Sequence, residues 1–196
     1  MQWDRSSEDI ARNVFEISST NVWCHAYTAQ LFKDRENWFS LPRLVLSSMV
    51  ASTALALEYV KDDQIKSYVL LGVAALGVIN TLVGSLAMHF KYAELSGVHR
   101  AMGESWNALC RRVELCLKKP IAHRPEVARF LEECSADFSR LSESSPEIPT
   151  TVVNKFRYKF VDKIDIMAVA HYLNGLHPLK PFVPSDEEEE KAAVKV

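Results

Sequence analysis

The side chains able to do covalent, metal or proton-transfer chemistry are sparse, and their spacing assembles no reactive centre. The four cysteines, Cys24, Cys110, Cys116 and Cys134, include no Cys-x-x-Cys pair. Cys110 and Cys116 lie six residues apart on a predicted helix, which suits neither a zinc pair nor a nucleophile held beside a base. Reduced, buried thiols on cytoplasmic helices are expected. The sequence has no His-Glu-x-x-His, no glycine-rich phosphate loop and no Gly-x-Ser-x-Gly elbow. Glu132 and Glu133, like the carboxylates near the C-terminus, read as unconstrained surface charges. The residues therefore point away from an enzyme, and no catalytic residue, metal or cofactor is expected. Histidine titrates near neutrality, so His89 and His99 admit a pH-sensitive role, although the plainer reading packs and hydrogen-bonds His99 between helices. Asn80 stands out by its surroundings, because an amide in a long apolar stretch is costly unless it meets a partner or water.

That stretch is defined by missing charge. From Ser67 to Phe90 no Asp, Glu, Lys or Arg occurs in 24 residues. As a helix this is about 36 Å long, more than the roughly 30 Å hydrocarbon core of a bilayer. Upstream, Leu44 to Leu57 is uncharged for 14 residues. It reaches spanning length if Phe39, Leu41 and Pro42 enter at one end, Tyr59 and Val60 close the other, and Arg43 and Glu58 extend toward headgroups. Pro42 suits the first turn of such a helix, and Trp38, Phe39, Tyr59 and Tyr68 fall where aromatic belts form. The link EYVKDDQIK is short and charged, so the two segments are predicted to form a helical hairpin. Lys33, Arg35 and Arg43 before it and Lys91, Arg100, Arg111 and Arg112 after it outnumber Lys61 and Lys66 within the link, which places both termini in the cytoplasm. The opening MQWDRSSEDIARN is polar and acidic rather than a cleavable signal, so the first span is expected to be its own insertion signal. The alternative is a soluble bundle with a very apolar central hairpin, which 24 uncharged residues disfavour.

The spans carry small-residue stripes. Ser48, Ser52 and Ala56 recur every fourth residue on the first, and Gly77, Thr81, Gly84 and Met88 line the second beside Asn80. One reading is glue between helices, with Asn80 bonding to Ser48 or Ser52. The other is a polar ring lining a pore, which two spans cannot enclose and which therefore requires several copies in cyclic symmetry. With no acidic ring and no arginine-rich span, conduction would be weakly selective.

Amphipathic helices flank the hairpin. After a plausible N-cap at Ser6 with Asp9 in the first turn, Ile10, Val14, Ile17, Asn21, Cys24, Thr28 and Leu31 alternate at spacings of four and three. Beyond the second span, Leu95, Val98, Met102, Trp106, Leu109, Val113 and Cys116 do the same, with no proline before Pro120. The second helix is thus expected to run unbroken out of the bilayer. Two such stripes, each with a near 3.5-residue repeat, can bury each other only on the same side of the membrane, which an even number of crossings provides. Gly97 and Gly103 are explained by close approach of another helix. Pro125 opens a third amphipathic helix with Val127, Phe130, Leu131, Cys134, Phe138 and Leu141 on its apolar face. A fourth starts at Thr151 with Val153, Phe156, Phe160, Ile164, Met167 and His171 on one side. Lys155, Arg157, Lys159 and Lys163 in its first half offer contact with anionic lipid or form a solvated face.

Composition excludes other classes. Lys and Arg number 23 against 25 Asp and Glu, and a formal net charge of -2 leaves no field to hold nucleic acid. The chain is therefore read as all-α: a two-helix transmembrane hairpin continuous with an amphipathic cytoplasmic helical bundle. Residues 1–175 form one domain, with an N-terminal helix over 6–38, spans over 41–60 and 67–118 (the latter extended into the cytoplasm), and further helices over 125–142 and 151–173. Residues 176–196, rich in proline and acidic side chains, are expected to be disordered.

The order of these features resembles the SLATT domain. The resemblance rests on the aromatic-rich first helix, the Leu41-Pro42 entry, the two spans, and Ala93-Glu94 followed by His99, Gly103, Trp106, Leu109, Arg111, Val113 and Glu114, with Ile148-Pro149 before the last helix. It covers nearly all of the chain except its tail. The resemblance implies a two-span membrane effector that oligomerises and perforates or perturbs a membrane, here without a fused sensor or nucleotide-binding domain. The rival expectation is a scaffold that organises a cell or virion membrane through its cytoplasmic helices, without conductance.

Overall fold

A computed structural model describes residues 3–160. They are all helical, with no strand among the described residues. Five helices follow in order: α1 (Arg5–Ala56), α2 (Asp63–Phe90), α3 (Tyr92–Lys118), α4 (Val127–Ser144) and α5 (Thr150–Phe160), with 3-10 turns at Leu57–Tyr59 and Ile121–His123. Lys163, the rest of the helix predicted over 151–173 and the tail from 176 lie outside the described residues.

Local chemistry sets the helix ends. Asp4, not Ser6, caps α1: its Oδ1 accepts from the Ser7 N–H at 2.7 Å and from the Ser7 hydroxyl at 2.6 Å. Those bonds hold the Asp4 carboxyl below its usual range. Asp62 caps α2 in the same way, accepting from the Gln64 and Ile65 N–H groups at 2.9 and 3.2 Å.

Two boundaries differ from expectation. Pro42, expected to open a helix, lies inside α1, which continues for 52 residues. Proline costs the Trp38 carbonyl its helical donor, but contacts on both sides of Pro42 hold the helix in line. Phe39 packs on Phe90 and Tyr92, with ring centroids 5.9 and 6.1 Å away, and Arg43 lies against Gly84. Conversely, the helix expected to run unbroken over 67–118 is interrupted at Lys91, whose φ of 50° and ψ of 34° are left-handed. Such a conformation costs a non-glycine residue roughly 1–2 kcal/mol. Hydrogen bonds from Lys91 N–H to the Ala87 carbonyl at 3.3 Å and from Leu95 N–H to the Lys91 carbonyl at 3.0 Å keep α2 and α3 tied together there.

Burial divides the molecule unevenly. The N-terminal half of α1 packs along α3, and α4 and α5 also pack on α1. Trp106, Leu109, Val113 and Cys116 of α3 meet Val127, Phe130, Cys134 and Leu141 of α4, while Cys24 of α1 meets Val152, Val153 and Phe156 of α5. Arg124 latches the chain start to this core. It pairs with Glu8, donates to the Leu117 and Lys119 carbonyls at 3.1 and 2.9 Å, and lies 5.2 Å from the Trp3 ring. The apolar parts of the long helices stay outside. Two helical runs are long and apolar enough to cross a membrane, and only 6% of the most apolar window of each is buried.

Candidate functional site

The sequence-selected residues fall in two places: along the apolar helices, and between α1 and α3. On the apolar helices, Asn80 Nδ2 donates to Ser47 Oγ at 3.0 Å, rather than to Ser48 or Ser52. One residue is about 100° of helix rotation, so this partner fixes which face of α1 meets α2. Ser48 and Ser52 are exposed, and their hydroxyls donate back to the Leu44 and Ser48 carbonyls at 2.9 and 2.8 Å. Ala56 is exposed at the end of α1. On α2, a side chain at Gly77 would meet nothing within 4 Å, and exposed Thr81 donates to the Gly77 carbonyl at 2.9 Å. Gly84 differs from these. It is buried, and a Cβ there would lie 3.4 Å from the Arg43 guanidinium carbon. The contact between α1 and α2 thus uses Arg43, Ser47, Asn80 and Gly84. The ladder Ser48–Ser52–Ala56, together with Gly77 and Thr81, is left facing outward. Asn80 Oδ1 is enclosed without a hydrogen-bond donor.

Between α1 and α3 the chemistry is a histidine pair. His99 and Gly103 face α1, and a Cβ at Gly103 would lie 3.4 Å from His25 Cβ and 3.7 Å from the Ala26 nitrogen. That close approach brings His25 Nδ1 to 2.9 Å from His99 Nδ1, with the Phe32 ring 5.6 Å from His99. Both histidines are buried. A bond between two Nδ1 atoms holds one proton, so one ring donates and the other accepts. His25 Nε2 is enclosed without a partner. An unpaired lone pair is tolerated in a core better than an unpaired N–H, so the arrangement assigns the shared proton to His25 as donor and the Nε2 proton to His99. Burial, then repulsion from His99, pushes the His25 pKa down to about 4, and burial lowers that of His99.

The other residues singled out on α3 are structural in this fold. Trp106 Nε1 donates to Ser145 Oγ at 3.0 Å and its ring meets Phe138 edge-on at 5.4 Å, while Leu109 is buried beside it. Gly97 has open space around it, so close approach explains only Gly103. All four cysteines are free and buried, and burial raises the thiol of Cys24 to about 12 and that of Cys134 to about 11. Of the basic residues on α5, Lys155 donates to the Tyr27 hydroxyl and sits 4.5 Å from its ring centroid, and Lys159 lies 5.6 Å from the Trp23 ring. These two are engaged by α1, whereas Arg157 is exposed.

Comparison of the chain with protein-family profiles, with curated proteins and with solved structures finds no match. Sequence reasoning passed over His25 and Ser47. His25 lies four residues after Asn21 and three before Thr28, at the edge of the stripe, and that spacing was the available signal.

Proposed function

We propose that this protein is an integral membrane protein with two spans, both termini on the cytoplasmic side, whose copies associate through the outward faces of its hairpin to form a SLATT-like pore or membrane-perturbing assembly. One observation carries the membrane reading: the most apolar helices contribute least to the core, with 6% of each apolar window buried. A core helix of a soluble protein would be enclosed, and an exposed apolar surface of this extent needs another apolar phase. Outward Trp38, Tyr59 and Tyr68, at 80%, 84% and 68% exposure, stand at the ends of the apolar segments, where headgroups would lie. Association is supported by the unpartnered Ser48–Ser52–Ala56 and Gly77–Thr81 faces, because small residues let helices approach closely in lipid.

A second reading, a non-conducting scaffold, is favoured by Asn80. Its amide is spent on Ser47 inside one chain and is not free to line a lumen. Reconstitution separates the two. In nanodiscs the wild-type chain is expected to be a multimer, and in liposomes to pass ions with little selectivity. The double variant Ser52→Leu/Thr81→Leu is expected to lower the flux at least about tenfold while leaving Asn80–Ser47 in place. A monomer in nanodiscs overturns the pore, and a multimer without flux selects the scaffold.

A further inference from the structure

A groove of ≈ 490 Å³ lies where α1 passes the junction of α2 and α3, and neither helix association nor conduction explains its chemistry. Ser40, Arg43 and Ser47 form one wall, and Lys91 stands at the rim. Arg43 reaches across to α2, its guanidinium carbon 3.4 Å from where a Cβ at Gly84 would lie. Among the described residues no carboxylate pairs with Arg43. Two acidic residues also line the groove. Glu94 pairs with Lys91 at 3.4 Å, and Glu36 lies two turns of α1 before Arg43, about 10 Å along the axis. Arg43 thus lines the groove without an ion-pair partner, while Lys91 is paired with Glu94.

The remaining walls are apolar: Leu44 and Met88 lead away from the cations toward the uncharged segments and are 65% and 70% exposed. Phe39, Phe90 and Tyr92 pack together at the same level. Two cations and the Ser40 hydroxyl beside the aliphatic surface of Leu44 and Met88 match a molecule with a phosphate head and hydrocarbon tails. A free phosphate would leave the apolar half unused.

We infer that this groove binds an anionic phospholipid of the leaflet facing the packed helices, its phosphate held by Arg43, Lys91 and the Ser40 hydroxyl and its acyl chains lying along Leu44 and Met88. The inference rests on the membrane reading. Arginine supplies paired donors in a fork that suits phosphate oxygens, and lysine adds a point charge.

The full chain in phosphatidylcholine nanodiscs tests it, with phosphatidylglycerol titrated in and native mass spectrometry counting bound lipid. Wild type is expected to retain phosphatidylglycerol over phosphatidylcholine. Arg43→Gln, and Lys91→Gly, which removes the amine while suiting the left-handed backbone, are each expected to weaken retention on the order of tenfold. Arg35→Gln is the control for diffuse surface charge, because Arg35 lies outside the groove over the Phe32 and Tyr92 rings. Equal retention of both lipids, an Arg35→Gln loss as large as that of Arg43→Gln, or full displacement by inorganic phosphate each overturns the site while the membrane reading stands. Failure to enter phosphatidylcholine nanodiscs overturns both.

Discussion

At the scale of single residues, the histidine pair is the group whose behaviour follows most directly from its surroundings. Buried with one shared proton, His25 and His99 are neutral in the folded chain, and a second proton would set two N–H groups against each other across 2.9 Å. In the unfolded chain both titrate near 6.5, whereas burial and repulsion from His99 lower His25 to about 4 in the folded chain. Below 6.5 the unfolded chain therefore takes up protons that the folded chain refuses. Stability is flat above that pH and falls as pH drops through the window between the two values. For His25 alone the full fall is about 3 kcal/mol. Thermal melts at stepped pH should show this loss in wild type and a smaller one in His25→Gln/His99→Gln, which keeps polar side chains there without the titration. An unchanged pH slope in the double variant would remove the pair as the cause. His99 and Gly103 were legible by residue type, a histidine and a glycine on an amphipathic helix calling for a hydrogen-bond partner and a close neighbour. His25 was not: its spacing from Asn21 and Thr28 sets it at the edge of the α1 stripe, but nothing local names its partner 74 positions away. Ser47 was missed for a related reason: periodicity ranks faces of a helix by composition, and Ser47 and Ser48 are the same residue type on faces about 100° apart.

At the scale of elements, the junctions were less legible than the helices. The apolar face of α4 was written in its 3.6-residue pattern, and Val127, Phe130, Cys134 and Leu141 are buried. On α3 the pattern failed toward the N-terminus. Leu95 and Val98 are 36% and 45% exposed, and His99 and Gly103 take the contact, Gly103 by letting α1 approach closely and His99 by bonding to His25. No residue type announces the left-handed Lys91, and Pro42 announces a helix start that contacts along α2 and α3 override. Two predictions belong here. Lys91→Gly relieves the backbone cost and should raise stability in denaturant by about 1 kcal/mol, whereas Lys91→Val, β-branched in the same conformation, should lower it. Arg124→Ala should cost about 2–4 kcal/mol. The Arg124 side chain is only 9% exposed, and its loss orphans Glu8 and two carbonyls at once. Hydrogen exchange should then rise first in the opening turns of α1, which Arg124 ties to the α3–α4 connection. Exchange unchanged there would mean that Trp3, through its bond to the Pro125 carbonyl at 2.9 Å, holds the chain start alone.

At the scale of the whole molecule, one sequence makes two surfaces with opposite requirements, and a single substitution can tell which solvent the apolar one meets. Val78 is 60% exposed and stands near the middle of the uncharged segment of α2. In water, replacing an exposed valine on a helix by lysine changes stability within about 0.5 kcal/mol and improves solubility. In a bilayer the same lysine near the midplane costs about 3 kcal/mol of insertion and leaves the α1–α2 contact through Ser47 and Asn80 untouched. Ser105→Lys, on an exposed position of α3 away from the apolar segments, supplies the comparison. Membrane solvation predicts that Val78→Lys sharply reduces the fraction of chain resistant to alkaline extraction while Ser105→Lys leaves it unchanged. An aqueous environment predicts the reverse ranking, with Val78→Lys more soluble than wild type without amphiphile and equally resistant to unfolding. The two environments differ by about a hundredfold in population for this one side chain, so the sign of the Val78→Lys effect decides between them.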